Sequence, residues 1–417
     1  MHTGTVELLS PAGDFERLKA AFQYGADAAY LAGKDFGMRS ASPNFSHEEM
    51  CRAAELAHSL GKKIYITCNI LPRGDELDKL PEFLENCQAS GADALIISDL
   101  GVLRMAKRYA PQMEIHISTQ TGVVNAEAAC MLYELGASRV VLAREMTLEE
   151  IAEIRAKTPK ELEIEVFVHG AMCVSFSGRC LLSNYFTGRD GNRGECAQPC
   201  RWKYSLMEET RPGRYMPIEE TGAGTFILNS RDLCMAEHIP ELLKAGAFSL
   251  KIEGRAKADY YVASVTKAYR GAIDAALENR ELPPWVMPEL DKISHRAYGT
   301  GFYYDKNGPG QDSLRGGYVR DWEVAAVSMG MTQDGRLRLS QRNRFFAGEV
   351  LDVLCPEEEP FTVILEDMEN EQGEKIEAAP HATMEVVARV SRPVPEGAYL
   401  RRRRGEKNQP EASESDS

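Results

Sequence analysis

The chain has 417 residues, 43% hydrophobic and 27% charged, with a formal net charge of −14. That length and balance suit a globular protein with one large domain and a smaller one, and the charge excludes an indiscriminately basic surface for coating nucleic acid. No apolar run approaches the roughly 20 residues of a membrane helix. The opening MHTGTVELLSPAG has no basic segment followed by an apolar one, so a cytoplasmic protein with no membrane partner is expected.

The first strand is predicted in VELLSPAG (6–13), followed by the helical pattern DFERLKAAFQYG with Asp14 at its N-cap. YGADAAYLAG (24–33) closes that helix and enters a second apolar strand. SHEEMCRAAELAHSLG places Ser46 before Glu49 in a capping box and leads to the strand KIYITCNI (63–70). Strands follow in SGADALIISD (90–99), EIHISTQ (114–120), LGASRVVLAR (135–144) and LEIEVFVHG (162–170), with Thr147 and Glu150 capping the helix before the last. AGAFSLKIEG (245–254) supplies the eighth strand.

Four of these stretches begin with Gly-Ala just after a helical pattern, where glycine takes the left-handed conformation that ends a helix. Eight strands, each leading to helical sequence and each a continuous apolar run, predict an α/β fold: a closed (β/α)8 TIM-like barrel over 1–285. A doubly wound open sheet is the competing architecture, and no G-x-G-x-x-G follows the first strand to support it.

In such a barrel the active groups stand at the C-terminal strand ends. There the sequence has Asn69, Asp99, Gln120, Arg144 with Glu145, His169, and Glu253 with Arg255. Each alone fits a structural hydrogen bond; together they make a polar ring with acid and base, suited to an anionic substrate. Strand seven ends at Gly170 and strand eight opens near Phe248, so 171–247 is an insertion at this face. Beyond it a linker is expected over 286–321 and a small all-β, barrel-like domain over 322–400. The remainder, 401–417, reads as the basic run Arg401–Arg404 and a disordered tail.

Ten cysteines without an export signal point away from disulfides and toward metal or redox chemistry. Cys51, Cys87 and Cys130 fall in helical patterns, and Cys68 and Cys355 in strand-like runs, where packing explains them. The other five crowd into the insertion as C-x6-C-x15-C-x3-C (Cys173, Cys180, Cys196, Cys200) followed by Cys234. This spacing matches structural zinc poorly, whereas an iron–sulfur cluster tolerates wide, irregular spacing. Arg179, Arg193 and Arg201 would offset the charge of such a cluster; unrelated reduced thiols are the other reading.

The run EVFVHGAMCVSFSGRCLLS (165–183) resembles the signature of the collagenase-like peptidase family of unassigned mechanism, peptidase family U32. LLSPAG, LAGKDFGMR (31–39), LAREM (142–146), RDGNRGECAQPCRW (189–202) and NSRDLC (229–234) extend the likeness across barrel and insertion. The branch with a chain of this length and a second domain resembles the tRNA 5-hydroxyuridine synthesis proteins. That resemblance implies a [4Fe–4S] cluster, with Cys173 and Cys180 matching the signature pair and Cys234 the NSRDLC cysteine. The fourth ligand is then Cys196, with Cys200 the alternative. It also implies tRNA as partner, prephenate as a small anionic co-substrate, and oxygen-independent hydroxylation of the wobble uridine. Ubiquinone-pathway relatives pair as heterodimers, which brings a homologous partner subunit within what the likeness implies.

On this reading Arg144 and Arg255 meet the prephenate carboxylates with Gln120 and Asn69 beside them, and His169 or Glu253 handles protons. Arg401–Arg404 grip tRNA phosphates, and Trp202, Tyr204 or Tyr185 receives the target base by stacking. Two other functions compete: a peptidase using a cysteine with His169, and a non-catalytic iron–sulfur subunit supporting another hydroxylase. No H-e-x-x-H or G-x-S-x-G pattern favours the peptidase.

Overall fold

Each Gly-Ala unit turns the chain as its composition demands, with Gly25, Gly91, Gly136 and Gly246 at φ +104°, +80°, +97° and +95°. The computed structural model describes residues 6–38, 44–173, 175, 180–191, 194–202, 206–207, 215–216, 231–306 and 318–405. They form two compact units, Met1–Pro283 with His295–Tyr318, and Pro284–Ser294 with Val319–Ser417.

In the larger unit, β1 (Glu7–Pro11), β2 (Ala28–Ala32), β3 (Lys63–Cys68), β4 (Ala94–Ile97), β5 (Glu114–Ile117), β6 (Arg139–Val141) and β7 (Glu163–Ala171) pair in chain order. The insertion then carries β8 (Leu206–Met207), β9 (Tyr215–Met216) and β10 (Asp232–Cys234) before β11 (Ser249–Ile252). β11 lies parallel to both β7 and β1, which closes the eight-stranded parallel barrel. The helices are α1 (Phe15–Gln23), α2 (His47–Ser59), α3 (Glu76–Ala89), α4 (Leu100–Tyr109), α5 (Ala126–Glu134), α6 (Leu148–Lys157), α7 (Leu182–Thr187, in the insertion), α8 (Ile239–Lys244) and α9 (Asp259–Leu277). Asp14 caps α1, and Ser46–Glu49 and Thr147–Glu150 form the two capping boxes, as read from the sequence.

The barrel interior mixes apolar and ionic side chains. Leu9, Ala28, Tyr30, Tyr65, Ala94 and Ile96 pack together. Against them, Arg139 reaches Glu7 at 2.6 Å and Glu165 at 3.0 Å, and Lys251 reaches Glu165 at 2.8 Å. Tyr65 and Ser249 also donate to Glu7, at 2.6 and 2.9 Å. All of these side chains are buried. Buried charge costs desolvation, so each member depends on its partners. Burial would raise the Glu165 carboxyl, but Lys251 and Arg139 outweigh it and hold the pKa at about 2. His116, in the same interior, is pushed down to about 4 by burial first and by the Arg139 charge second.

The insertion is stitched to the barrel. β10 runs antiparallel to the end of β7, setting Asp232, Leu233 and Cys234 opposite Ala171, Gly170 and His169. β12 (Tyr298–Gly299) adds to β10 in parallel, and Arg296 grips Asp232 through backbone and guanidinium at 2.6–3.0 Å. Of the stretch 286–321, expected as a linker, residues 286–306 and 318–321 are described. Its part up to Ser294 holds α10 (Val286–Asp291) of the smaller unit, and its part from His295 to Tyr318 belongs with the barrel.

The smaller unit has β13 (Trp322–Met331), β14 (Leu337–Gln341), β15 (Phe345–Phe346), β16 (Val350–Leu354), β17 (Phe361–Ile364), β18 (Glu366–Glu369), β19 (Ala378–Ala379), β20 (Glu385–Arg389) and β21 (Tyr399–Arg403). Seven of them form an antiparallel sheet, β17-β16-β21-β13-β14-β20-β18, and β15 pairs with β19. The two edge strands, β17 and β18, are separated in the chain by Leu365 alone, so the sheet curls round a core that includes Leu339, Phe345, Val353 and Leu400.

The Arg401–Arg404 run is corrected here. Arg401 is a buried member of β21, bound to Glu289 and, at 2.6 Å, to Asp352. Arg402 pairs with Glu349 at 2.5 Å and Glu323 at 2.9 Å. These two charges are neutralised inside the unit and do not form a phosphate grip; a strand that alternates inward and outward cannot present four adjacent arginines on one face.

Candidate active site

The residues named at the C-terminal strand ends have unequal surroundings. Arg144, just after β6, is half-buried and lies over the Phe167 ring at 3.9 Å. Its Nη1 donates to the Ala171 carbonyl at 2.8 Å and its Nη2 faces Glu253 Oε2 at 3.5 Å. This side chain thus joins strand six, strand eight and the last residue of β7, two positions before Cys173.

Arg255 is buried and donates to Thr67 Oγ1 at 3.2 Å. The segment after β2 lies against this pair: a Cβ on Gly37 would sit 3.4 Å from Arg255 Nη1 and 3.5 Å from Thr67 Oγ1. Asn69 ties the same segment down, accepting from the Met38 amide at 3.2 Å. Gln120 stands half-buried in the turn Thr119–Thr121 after β5. Asp99 is spent as the N-cap of α4, accepting from the Val102 amide at 3.0 Å.

His169 has a different surrounding from the one expected. It is buried, ringed by Tyr261, Tyr269 and Tyr298 with centroids at 6.0, 5.4 and 5.5 Å, and its Nδ1 lies 3.4 Å from the Tyr269 hydroxyl. Burial holds its pKa at about 3. It sits in the wall as a neutral ring, while Glu253 is the proton-handling candidate that keeps some solvent access.

Next to it, Gly170 has φ +112°, and a Cβ there would come within 2.6 Å of the Glu253 carbonyl. The glycine is needed twice over, for its conformation and for the approach of β7 to Glu253. Gly170→Ala is expected to cost about 1–3 kcal/mol of barrel stability, read from the urea midpoint; an unchanged midpoint would remove this account.

The five insertion cysteines are in no disulfide. Cys173 lies two residues after β7, Cys180 two before α7, Cys200 within the turn Pro199–Arg201 and Cys196 three residues before that turn. Cys234 ends β10, buried, with Tyr269 Oη 3.9 Å from its sulfur. Cys196 Sγ accepts the Gln198 amide at 3.4 Å, from a Gln198 held at φ +56°. An N–H aimed at sulfur suits a thiolate that carries metal.

Thiols are the donors that an iron–sulfur cluster takes, and one sulfur here carries an amide hydrogen bond. Among the described residues, which include all five thiols, no three His, Cys, Asp or Glu groups converge to hold a metal. Arg179, Arg193 and the base-stacking candidate Tyr204 lie outside the described residues.

Sequence reasoning missed Thr67, Phe167, the tyrosines around His169 and the ionic interior. A signal for the interior was present: in SLKIEG, Ser249, Lys251 and Glu253 alternate at period two within an apolar strand, as do Glu163 and Glu165 in ELEIEVFV. In a sheet covered on its outer face by helices, polar residues at that period have only the barrel interior to occupy.

The model of peptidase family U32 matches residues 13–313, and that of the peptidase family U32 C-terminal domain matches 320–401. The tRNA hydroxylation protein P1 of Bacillus subtilis (strain 168) is 38% identical over 382 residues, covering 90% of this chain and 89% of its own. The tRNA hydroxylation protein P of Escherichia coli (strain K12) is 36% identical over 415 residues, 90% of this chain and 91% of its own. The 23S rRNA 5-hydroxycytidine C2501 synthase of the same strain is 35% identical over 312 residues, 73% of this chain but 46% of its own.

Proposed function

Because the chain belongs to peptidase family U32, with the family's barrel and C-terminal domain both present, we propose that it is a tRNA-hydroxylating enzyme that converts the wobble uridine to 5-hydroxyuridine. The observation that carries this reading is the likeness to proteins named for tRNA hydroxylation along 90% of the chain, through both units and the thiol-rich insertion. A [4Fe–4S] cluster would be held by Cys173, Cys180, Cys196 and Cys234, with Cys200 the alternative to Cys196. When bound, it supplies one-electron chemistry beside the barrel mouth.

The chain's own residues do the positioning. Prephenate, on which this oxygen-independent hydroxylation would depend, carries two carboxylates that suit two guanidinium groups. Arg255 is fixed from beneath by Thr67, and Arg144 is fixed by Ala171 and Phe167. The Arg144–Glu253 contact is loose, at 3.5 Å, so an incoming carboxylate can take the place of Glu253 and leave that side chain to accept a proton. Gln120 and Asn69 also stand after barrel strands, beyond β5 and β3.

A peptidase built on a cysteine with His169 is disfavoured by geometry, because the imidazole is walled by three tyrosines. The test is to delete the gene in its host and measure tRNA nucleosides by mass spectrometry. Loss of 5-hydroxyuridine, restored by the intact gene, is the expected result. Unchanged nucleosides would end the reading.

A further inference from the structure

Two of the base-stacking candidates, Tyr185 and Trp202, belong to a larger group of apolar side chains that the insertion holds out to solvent. Leu181, Tyr185, Phe186 and Trp202 are 69%, 83%, 49% and 42% exposed. They are grouped rather than scattered. The Tyr185 amide donates to the Leu181 carbonyl at 2.9 Å, which puts these two on one face of α7. The Tyr185 and Phe186 rings meet edge to face, with centroids 5.3 Å apart and planes at 85°. The helical turn Pro199–Arg201, which Trp202 follows, packs on α7.

The backbone beneath is tied down, since the Ala197 amide donates to the buried Ser183 hydroxyl at 3.0 Å. Arg189 is exposed close by, and Arg73 reaches the insertion through Asp190 at 3.9 Å. The group also brackets the candidate ligands: Leu181 follows Cys180, and Trp202 stands two residues after Cys200.

Resting on the proposed function, we infer that this surface receives an unpaired, unstacked nucleobase from an RNA loop. Every base has a π face, and an exposed aromatic ring accepts it by stacking whatever its hydrogen-bonding edges. The edge-to-face arrangement leaves a face of Tyr185 open, since the favoured T-shaped contact uses a ring edge. Arg189, exposed two residues past the end of α7, suits a phosphate next to the base. A paired duplex keeps its base faces stacked internally, so the surface selects loops over helices. An apolar protein partner or a second copy of the chain would have less use for cations at the rim, which is why RNA is the occupant we assign.

The test uses the full-length protein and a fluorescently labelled hairpin RNA with an unpaired pyrimidine-rich loop, with a fully paired duplex as comparison. The double variant Tyr185→Ala, Phe186→Ala is expected to bind the hairpin about tenfold more weakly, about 1.4 kcal/mol, with duplex binding little changed. Tyr185→Phe should keep the hairpin affinity. The substituted side chains are exposed, so the urea midpoint should not move, and an unmoved midpoint assigns the loss to the surface.

Equal hairpin affinity in wild type and double variant would overturn the inference. So would loss of a dimer in sedimentation with RNA affinity intact, which makes the patch a self-association surface. The two readings fail separately. If gene deletion leaves tRNA nucleosides unchanged while the double variant loses hairpin binding, the modification reading falls and the surface stands. If the double variant restores 5-hydroxyuridine to the deletion strain and binds hairpin like wild type, the surface falls alone.

Discussion

Arg139→Met is expected to destabilise the barrel by about 3–5 kcal/mol, seen as a fall in the urea or thermal midpoint of its unfolding. The side chain is fully buried and serves Glu7, Glu163 and Glu165 at 2.6–3.0 Å. Methionine fills much of the same volume, so the loss is one of charge compensation rather than of packing. Glu165 keeps Lys251 at 2.8 Å. Glu7 keeps only neutral donors, Tyr65 and Ser249, and carries most of the cost.

The pH dependence gives this prediction a sign that a packing defect would not have. In the intact protein, burial raises the Glu7 carboxyl but Arg139 overcomes it and the pKa ends below the ordinary value. Glu165 is likewise held at about 2. A depressed carboxylate contributes stability above its unfolded pKa and loses it as pH falls through the folded one. Without Arg139 burial outweighs the remaining neutral donors to Glu7 and raises its pKa, so the carboxylate destabilises at neutral pH and stops doing so once protonated. The deficit of Arg139→Met should therefore shrink as pH falls toward the ordinary carboxylate range. A deficit that stays constant with pH would mean that the network is not what the arginine supports.

The barrel was legible because each level of the sequence repeats the same statement. Gly-Ala at four helix ends, capping boxes at Ser46 and Thr147 and apolar strands at regular intervals all specify βα units, and closure follows from their number. Much of the mouth was legible for the same reason, since position at a strand end needs only the strand to be found. What the side chain does there was not. Asp99 caps a helix and His169 is enclosed by tyrosines from α9 and β12, elements far away in the chain. The arginines of β21 failed differently: read as a run they look like a surface patch, yet a strand sends alternate residues inward, and Arg401 meets Glu289, 112 residues away. Long-range pairing of charge leaves no local trace.

The second large effect is expected at the thiols. Cys173→Ser with Cys180→Ser should abolish 5-hydroxyuridine formation when the variant replaces the intact gene, and anaerobically purified protein should lose the brown absorbance expected of a cluster-bearing wild type. Serine is smaller than cysteine by one row of the periodic table and binds iron poorly, so the substitution removes ligand character while sparing the fold. Cys234→Ser should act alike even though the sulfur is buried on β10, because the ladder that sets it opposite His169 is made by backbone and survives the change. The pair Cys196 and Cys200 supplies the discriminating case. Cys196 carries the amide of Gln198 on its sulfur at 3.4 Å, the kind of support that stabilises a metal-bound thiolate, so Cys196→Ser should lose iron while Cys200→Ser retains it. The reverse result would transfer the ligand to Cys200 and leave the cluster in place. Iron content and absorbance equal to wild type in Cys173→Ser, Cys180→Ser would take the cluster away altogether.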